Sequence, residues 1–362
     1  MTYPSRIRWL KYLNHYSKAL YRAANCQYQQ VTWQGLRSCF YSSHCPTERK
    51  AEECGSVGQT HTVRDALHQW TRKFKEEKIP EPDLSAGYII GHVLGFKRAF
   101  LDTPEMRAMY ATDLMTRLDE KQTDRINGLC QKRLQRMPIQ YVLGEWDFRF
   151  LTLSMKQPVF IPRQETEELV GLVLHFHRKK PNLHFLEIGC GSGAISLSIL
   201  HELQQSTGVA IDQSVDAINL TRHNAKRLCL SDRIQTHRCE LSDSPRLPDC
   251  IMGKYDIIVS NPPYIFQEDM PDLAPEITRY EDPKALKGGV EGMDVTLRIL
   301  NMARHLLLPG GSIWLEGDPR HPAMIQKWLR TNPHTQVQLV NVLKDFCQRT
   351  RFCHLKYLPY KR

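Results

Sequence analysis

Two stretches carry residue types that could do chemistry together: Ser260-Asn261-Pro262-Pro263-Tyr264, after the apolar run Tyr255-Asp256-Ile257-Ile258-Val259, and Gly189-Cys190-Gly191-Ser192-Gly193, after Glu187-Ile188. In the first, each proline fixes its own φ and drives the residue before it into an extended conformation, so Asn261 is presented with little freedom. The Asn261 side-chain carbonyl and the Pro262 backbone carbonyl then stand side by side as acceptors, with no N–H from Pro262 to compete. Such a pair suits a planar NH2 group with two in-plane hydrogens, and the Tyr264 ring could cover its flat face. The plain alternative is a turn that closes a strand.

The second stretch places three glycines between a strand and a helix, where the backbone can approach a ligand closely. Its spacing is G-x-G-x-G and not the G-x-G-x-x-G that holds a pyrophosphate, which disfavours a nicotinamide cofactor. Asp212 closes the next strand, Gly208-Val209-Ala210-Ile211-Asp212, where a carboxylate can accept both hydroxyls of a ribose. Together these features imply S-adenosylmethionine; the alternative is a tight turn beside a solvated strand end. Cys190 has no neighbouring His or second Cys and reads as a small filler. In an open parallel sheet, ligands bind at the carboxyl ends of strands near the switch in strand order, which is where both stretches fall. A methyl donor and an NH2 cradle on one rim imply N-methylation of a planar nitrogen. Adenine N6, guanine N2 and a glutamine amide would be served equally. No general base is evident, so the proton is expected to leave after methyl transfer, through Asn261, Pro262 or water.

From about residue 158 strands and helices alternate. Strands are expected at 184–188, 208–212, 255–260 and 312–316, and helices near 165–177, 194–204, 214–228, 293–308 and 320–330. This is the pattern of a parallel sheet covered on both faces. Val337 to Leu343 and Phe352 to Tyr357 follow each other closely and fit an antiparallel pair at the sheet edge. Upstream, Trp146, Phe148 and Phe150 alternate with charged residues as a half-exposed strand does, and with Leu151-Thr152-Leu153 suggest a hairpin. Residues 62–137 read as a small helical domain. Thr62 can cap a helix with Val63, Leu67, Trp70 and Phe74 on one stripe, Asp83 to Leu94 makes another, and Thr103-Pro104-Glu105 starts a third. A long polar helix with Leu118, Ile126, Leu129 and Leu134 runs to Met137-Pro138.

The net charge of +10 is unevenly distributed. The first 47 residues hold six of the basic residues (Arg6, Arg8, Lys11, Lys18, Arg22, Arg37) and no Asp or Glu, which leaves +4 for the rest. A dense phosphate-binding face is therefore not expected. In the same segment Trp9, Leu13, Tyr16 and Leu20 share one helical face opposite the basic residues, the pattern of a mitochondrial transit peptide rather than a secretory signal. A polar linker at 42–61 follows. The eleven cysteines include no C-x-x-C pair, which suits reduced thiols in a matrix or cytosolic setting. No apolar run reaches membrane-spanning length.

The chain resembles the HemK/PrmC family of N5-glutamine methyltransferases, which modify the glutamine of the Gly-Gly-Gln motif in class I peptide chain release factors. The matching stretches are Pro138-Ile139-Gln140-Tyr141, Phe160-Ile161-Pro162-Arg163-Gln164-Glu165-Thr166-Glu167, Leu186 to Ile195, Asn224-Ala225 and Ile258 to Ile265. Arg279 to Leu286, Gly288-Gly289, Gly292-Met293-Asp294 and Pro309-Gly310-Gly311 complete them. The Ile-Pro-Arg-x-Glu-Thr-Glu stretch separates this family from nucleic-acid methyltransferases that share the Asn-Pro-Pro-Tyr loop. The resemblance implies a class I, Rossmann-like α/β methyltransferase fold with a seven-stranded sheet, a helical bundle at 62–137, a linking hairpin at 138–157 and a catalytic domain at 158–362. It implies that Gly189, Cys190, Gly191, Ser192, Gly193 and Asp212 hold S-adenosylmethionine, with Asn261 bordering it. Asn261, Pro262, Pro263 and Tyr264 would hold the glutamine side chain. Gln164 stands where the family usually has proline, Glu240-Leu241 replaces Gly-Asp-Trp, Gly317-Asp318 replaces Ile-Gly, and Gln348 replaces a late glycine. With the presequence, the resemblance points to mitochondrial release factors, with no stable nucleic-acid or membrane binding. Two other readings are an N6-adenine or N2-guanine methyltransferase, which a basic, aromatic-rich face would favour, and a non-catalytic ribosome- or RNA-binding module, which loss of Asn261 or of the glycine loop would favour.

Overall fold

The computed structural model describes residues 62–96, 114–242 and 248–359. The basic helix, the linker at 42–61 and the helix start at Thr103-Pro104-Glu105 lie outside them. Helix α1 (Val63–Glu76) begins where Thr62 closes a capping box with Asp65, and its Val63, Trp70 and Phe74 are buried. Helix α2 (Pro82–Val93) starts with proline in its first turn, and α3 (Glu120–Leu134) is capped by Asp119 and Gln122. Val63, Trp70 and Phe74 pack with Ile89 and Ile90 of α2 and Ile126 of α3 into one apolar cluster. Leu118, which the sequence places on the long helix, lies just before its start and is buried.

A short helix α4 (Ile139–Leu143) ends at Gly144 in the left-handed region and leads into the antiparallel pair β1 (Glu145–Phe148) and β2 (Leu151–Ser154). The expected alternation through Phe150 stops early. Arg149 turns the chain with φ of 53°, so Phe148 is buried while Phe150 stands exposed in the turn. Arg149 is held there by Glu202 Oε1 at 2.7 Å and by the Glu167 carbonyl at 2.8 Å. Phe148, Leu151 and Leu153 pack into one core layer of the main sheet.

That sheet alternates with helices in the order α5 (Gln164–Phe176), β3 (His184–Ile188), α6 (Ala194–Glu202), β4 (Thr207–Asp212), α7 (Val215–Arg227), β5 (Ile234–Arg238) and β6 (Tyr255–Ser260). A short helix α8 (Pro275–Tyr280) precedes α9 (Asp294–Leu306), β7 (Leu307–Glu316), α10 (His321–Thr331), β8 (Val337–Lys344) and β9 (Thr350–Tyr357). The strand order is β5-β4-β3-β6-β7-β9-β8, the first five parallel and β9 antiparallel to β7. The central strands are buried on both faces, which is why their sequences read as near-continuous apolar runs. β5 carries only Ile234 and Thr236 inward, alternating with polar residues at the sheet edge, and gives no such run. β7 starts five residues earlier than its apolar core suggests, running through Pro309-Gly310-Gly311.

The order reverses between β3 and β6, because the chain moves from β3 outward through β4 and β5 and then returns to β3's other side. Ile188 pairs with Ile211 and with Ser260, and Ser260 pairs with Leu315. One register therefore lines up the residues that follow: Gly189, Asp212, Asn261 and Glu316 stand in a row at the carboxyl ends of four adjacent strands.

Candidate active site

The Asn-Pro-Pro-Tyr loop leaves β6 at Ser260, whose buried hydroxyl donates to the Ile188 carbonyl at 2.6 Å and pins the ends of β3 and β6 together. Beyond it the chain is braced by the glycine-rich segment 286–294. Ile265 N–H donates to Leu286 O and Gly288 N–H donates to Ile265 O, each at 3.0 Å. A Cβ on Gly288 would stand 2.5 Å from the Pro263 carbonyl oxygen, and one on Gly292, whose φ is +67°, 2.3 Å from the Tyr264 carbonyl oxygen. Glycine is needed because two backbone segments touch at these points. Burial, reinforced by the nearby Glu316 carboxylate, raises the Tyr264 phenol well above its usual range and keeps it protonated.

Asn261 is half-buried and borders a cavity of about 280 Å³ shared with the glycine loop. Its Nδ2 donates to Thr166 Oγ1 at 3.1 Å, and Thr166 Oγ1 donates to Glu316 Oε2 at 2.9 Å. Thr166 and Glu316 are both buried, and burial lifts the Glu316 carboxyl to about 7 against the pull of Thr166 and Arg351. Beside them Arg163 pairs with buried Glu281 at 2.6 Å and lies over the Phe160 ring at 4.7 Å. Burial raises the Glu281 carboxyl, and Arg163 opposes the rise. Neither pairing is visible in the sequence, since Thr166 and Glu316 lie 150 residues apart and Arg163 and Glu281 lie 118 apart. Only the fold joins the Ile-Pro-Arg-x-Glu-Thr-Glu stretch to the ends of β6 and β7.

The glycine loop bends over the end of β4. Gly189 and Cys190 N–H donate to Ile211 O at 2.8 and 3.0 Å, and Gly189, Gly191 and Gly193 have φ of +77°, +54° and +83°. Asp212 accepts from Gly191 N–H at 3.0 Å and Ser214 N–H at 2.9 Å, one bond on each oxygen. Burial raises its carboxyl and these backbone donors oppose the rise. Asp212 lines the cavity, where a carboxylate suits a ribose diol. Ser192 is fixed from behind: Asn224 Nδ2 donates to its carbonyl at 2.9 Å and also to Ser154 O at 3.1 Å, while Asn224 Oδ1 accepts from Ser154 N–H. The linking hairpin and the glycine loop thus share one side chain. Glu187, buried at the end of β3, accepts from the Ser196 N–H and hydroxyl, and burial pushes its carboxyl up to about 8. The Cys190 thiol, which lines the same cavity, is raised well above its usual range by burial and by Asp212 and Glu187.

The structure thus brings Gly189 to Ser192, Asp212 and Asn261 to Tyr264 around one cavity; Gly193 does not line it and instead starts α6 in the left-handed region. A doubly wound sheet of this order, with a glycine loop and an acidic strand end at its switch point, is that of a class I methyltransferase dependent on S-adenosylmethionine. Residues 65–144 match the PrmC N-terminal domain and residues 169–280 the methyltransferase small domain. The chain is 46% identical over 299 residues to the human MTRF1L release factor glutamine methyltransferase, an alignment covering 81% of this chain and 86% of that protein. It is 31% identical to the release factor glutamine methyltransferase of Deinococcus radiodurans, covering 74% of this chain and 90% of the relative, and 33% identical to that of Chlorobaculum tepidum, covering 67% and 81%. The chain belongs to the family of release factor glutamine methyltransferases.

Proposed function

We propose that this protein transfers a methyl group from S-adenosylmethionine to the side-chain amide N5 of the glutamine in the Gly-Gly-Gln motif of peptide chain release factors, and that Asn261 to Tyr264 hold that side chain. The observation that carries the reading is the placement of Asn261 and Pro262, one register step past Ser260, beside the glycine loop that follows Ile188. When bound, S-adenosylmethionine supplies an electrophilic methyl group. The glycine loop and Asp212 would hold the donor. Asn261 Oδ1 and Pro262 O would accept the two amide hydrogens, holding the glutamine nitrogen in one plane. The amide lone pair is delocalised, so placement against the donor has to supply much of the rate, up to several kcal/mol by proximity. Acceptors on both N–H groups also favour the positive charge that develops as the nitrogen attacks. Tyr264, kept neutral, forms an apolar side wall, and the proton leaves after transfer.

Residues 62–137 serve as the docking domain, 138–157 as the linker and 158–362 as the catalytic domain in this reading. Arg133 and Arg136 at the end of α3 reach Glu276 of α8 at 3.4 and 3.3 Å, and Tyr280 Oη donates to Gln135 O at 2.6 Å, so the helices are anchored directly beside the segment that follows the Asn-Pro-Pro-Tyr loop. The wholly basic first segment supports import into the mitochondrial matrix and release factors of that compartment as substrates. The test is transfer from labelled donor to a purified mitochondrial release factor and to its Gly-Gly-Gln Gln→Ala variant. Label on the native factor alone is expected, and equal label on the variant refutes the glutamine assignment.

A further inference from the structure

We propose that Thr166 and Glu316 are positioning residues that fix the sense of the Asn261 amide, so that its carbonyl oxygen rather than its NH2 group faces the methyl acceptor. The proposal rests on the reading of Asn261 given above and deepens it. An asparagine amide has nearly the same shape at both ends but opposite hydrogen-bonding character, so packing alone does not choose which end points at a ligand. An acceptor NH2 group needs the oxygen. With the amide reversed, donor would meet donor and the cradle would reject the group it is built for.

The direction is set by counting protons. When ionised, Glu316, at the last position of β7, has none to give, so Thr166 must donate to it across 2.9 Å. A hydroxyl has only one proton. Toward Asn261, at 3.1 Å, Thr166 can therefore only accept, and only Nδ2 can donate to it. Reversal would set Oδ1 against an oxygen with no proton to offer, at a site where Thr166 and Glu316 are each 2% exposed, so the unmade bond is costly. The chain of bonds from Glu316 through Thr166 to Asn261 Nδ2 leaves Oδ1 as the acceptor not engaged by Thr166. The elements around it hold each member in place: Thr166 is in the first turn of α5, Asn261 is stiffened by two prolines, and Glu316 is locked by the pairing of β7 with β9.

The charged and titratable groups facing Glu316 are Arg163 and Glu165 from the start of α5, Arg351 from β9, and Tyr264 from the Asn-Pro-Pro-Tyr loop. Burial brings the Glu316 carboxyl to about 7, close to working pH. Once protonated, Glu316 gains a donor of its own, Thr166 is released from donating to it, and the sense of Asn261 is no longer dictated.

Thr166→Val keeps the shape and removes the hydroxyl, while Thr166→Ser keeps the hydroxyl. With a purified release factor as acceptor, Thr166→Val should lower kcat at least about tenfold with donor binding retained and a lowered unfolding temperature, since the buried Glu316 carboxyl loses its partner, and Thr166→Ser should stay within about threefold of the parent in kcat. Wild-type kcat should rise with pH through a limb near 7 that Glu316→Gln removes. A readout free of catalysis is hydrogen exchange of the Asn261 side-chain NH2 in 15N-asparagine-labelled protein, slow in the parent and fast in Thr166→Val. A wild-type protein that leaves the release factor unlabelled while Asn261 exchange still depends on Thr166 overturns the function and supports the positioning. Parental kcat and parental exchange in Thr166→Val overturn the positioning. Should Thr166→Val fail to fold, persistence of the acid limb in Glu316→Gln overturns it instead.

Discussion

Gly288 is a point where a single added methyl group would act directly on the Asn-Pro-Pro-Tyr loop. Its added Cβ would lie 2.5 Å from Pro263 O and 2.7 Å from both the Cα and the carbonyl carbon of Gly292, all backbone atoms that cannot rotate away. Carbons nearer than 3.0 Å to such atoms are not found in real structures. Gly288→Ala must therefore push the Asn-Pro-Pro-Tyr loop and the 286–294 segment apart by at least about 0.5 Å, and a displacement of that order at a reacting centre costs roughly ten- to a hundredfold in rate. The overpacking itself should cost about 1–3 kcal/mol of stability. The glycine loop and Asp212 belong to other strands, so donor affinity should change little. The assay is steady-state methyl transfer to a release factor, with calorimetry for the donor and thermal unfolding alongside. Gly128→Ala is the control: it lies exposed on α3 with nothing within 4 Å of the added carbon, and should leave kcat unchanged and stabilise the helix by up to ~1 kcal/mol. Parental kcat in Gly288→Ala, at parental unfolding temperature, would refute the claim that segment 286–294 sets the loop's position.

Asn261→Ala should lower turnover by about two to three orders of magnitude while the donor still binds, because the acceptor for the developing charge is lost but the glycine loop is untouched; donor binding by calorimetry alongside kcat checks this, and turnover within tenfold of the parent excludes the role. The fold should weaken as pH falls from about 6.5 toward 4. His177 and His354 are lowered to about 4, chiefly by burial and then by neighbouring charges, with Trp314 stacked on His354 at 4.0 Å and donating its indole N–H to His177 at 3.3 Å. Both are neutral in the fold and charge more readily when unfolded, so their contribution is complete above 6.5 and lost below it. Thermal unfolding between pH 7.5 and 4.5 should show a shallower fall for His354→Gln, and identical slopes would rule the histidine out.

What the sequence makes legible follows from how each feature is encoded. The glycine loop, Asp212 and the Asn-Pro-Pro-Tyr loop are local: a few adjacent residues contain both the turn and the polar group, and the buried central strands before them are near-continuous apolar runs. β5 is hidden because an edge strand with two inward residues has no such run, and Phe150 is misplaced because alternation continues by chance into a turn that Arg149 makes at positive φ. Thr166 and Glu316 belong to a different kind of information. Each sits in an ordinary setting, a helix's first turn and a strand's last residue, and becomes significant only through the register that sets Ser260 opposite Leu315 and through the packing of α5 on that edge. A hydrogen-bond direction is a property of the assembled chain of groups and of no member alone. The Asn-Pro-Pro-Tyr loop supplies two acceptors in sequence, but whether Asn261 offers its oxygen is decided by a carboxylate 55 residues away that has no proton to give, acting through a threonine that has one.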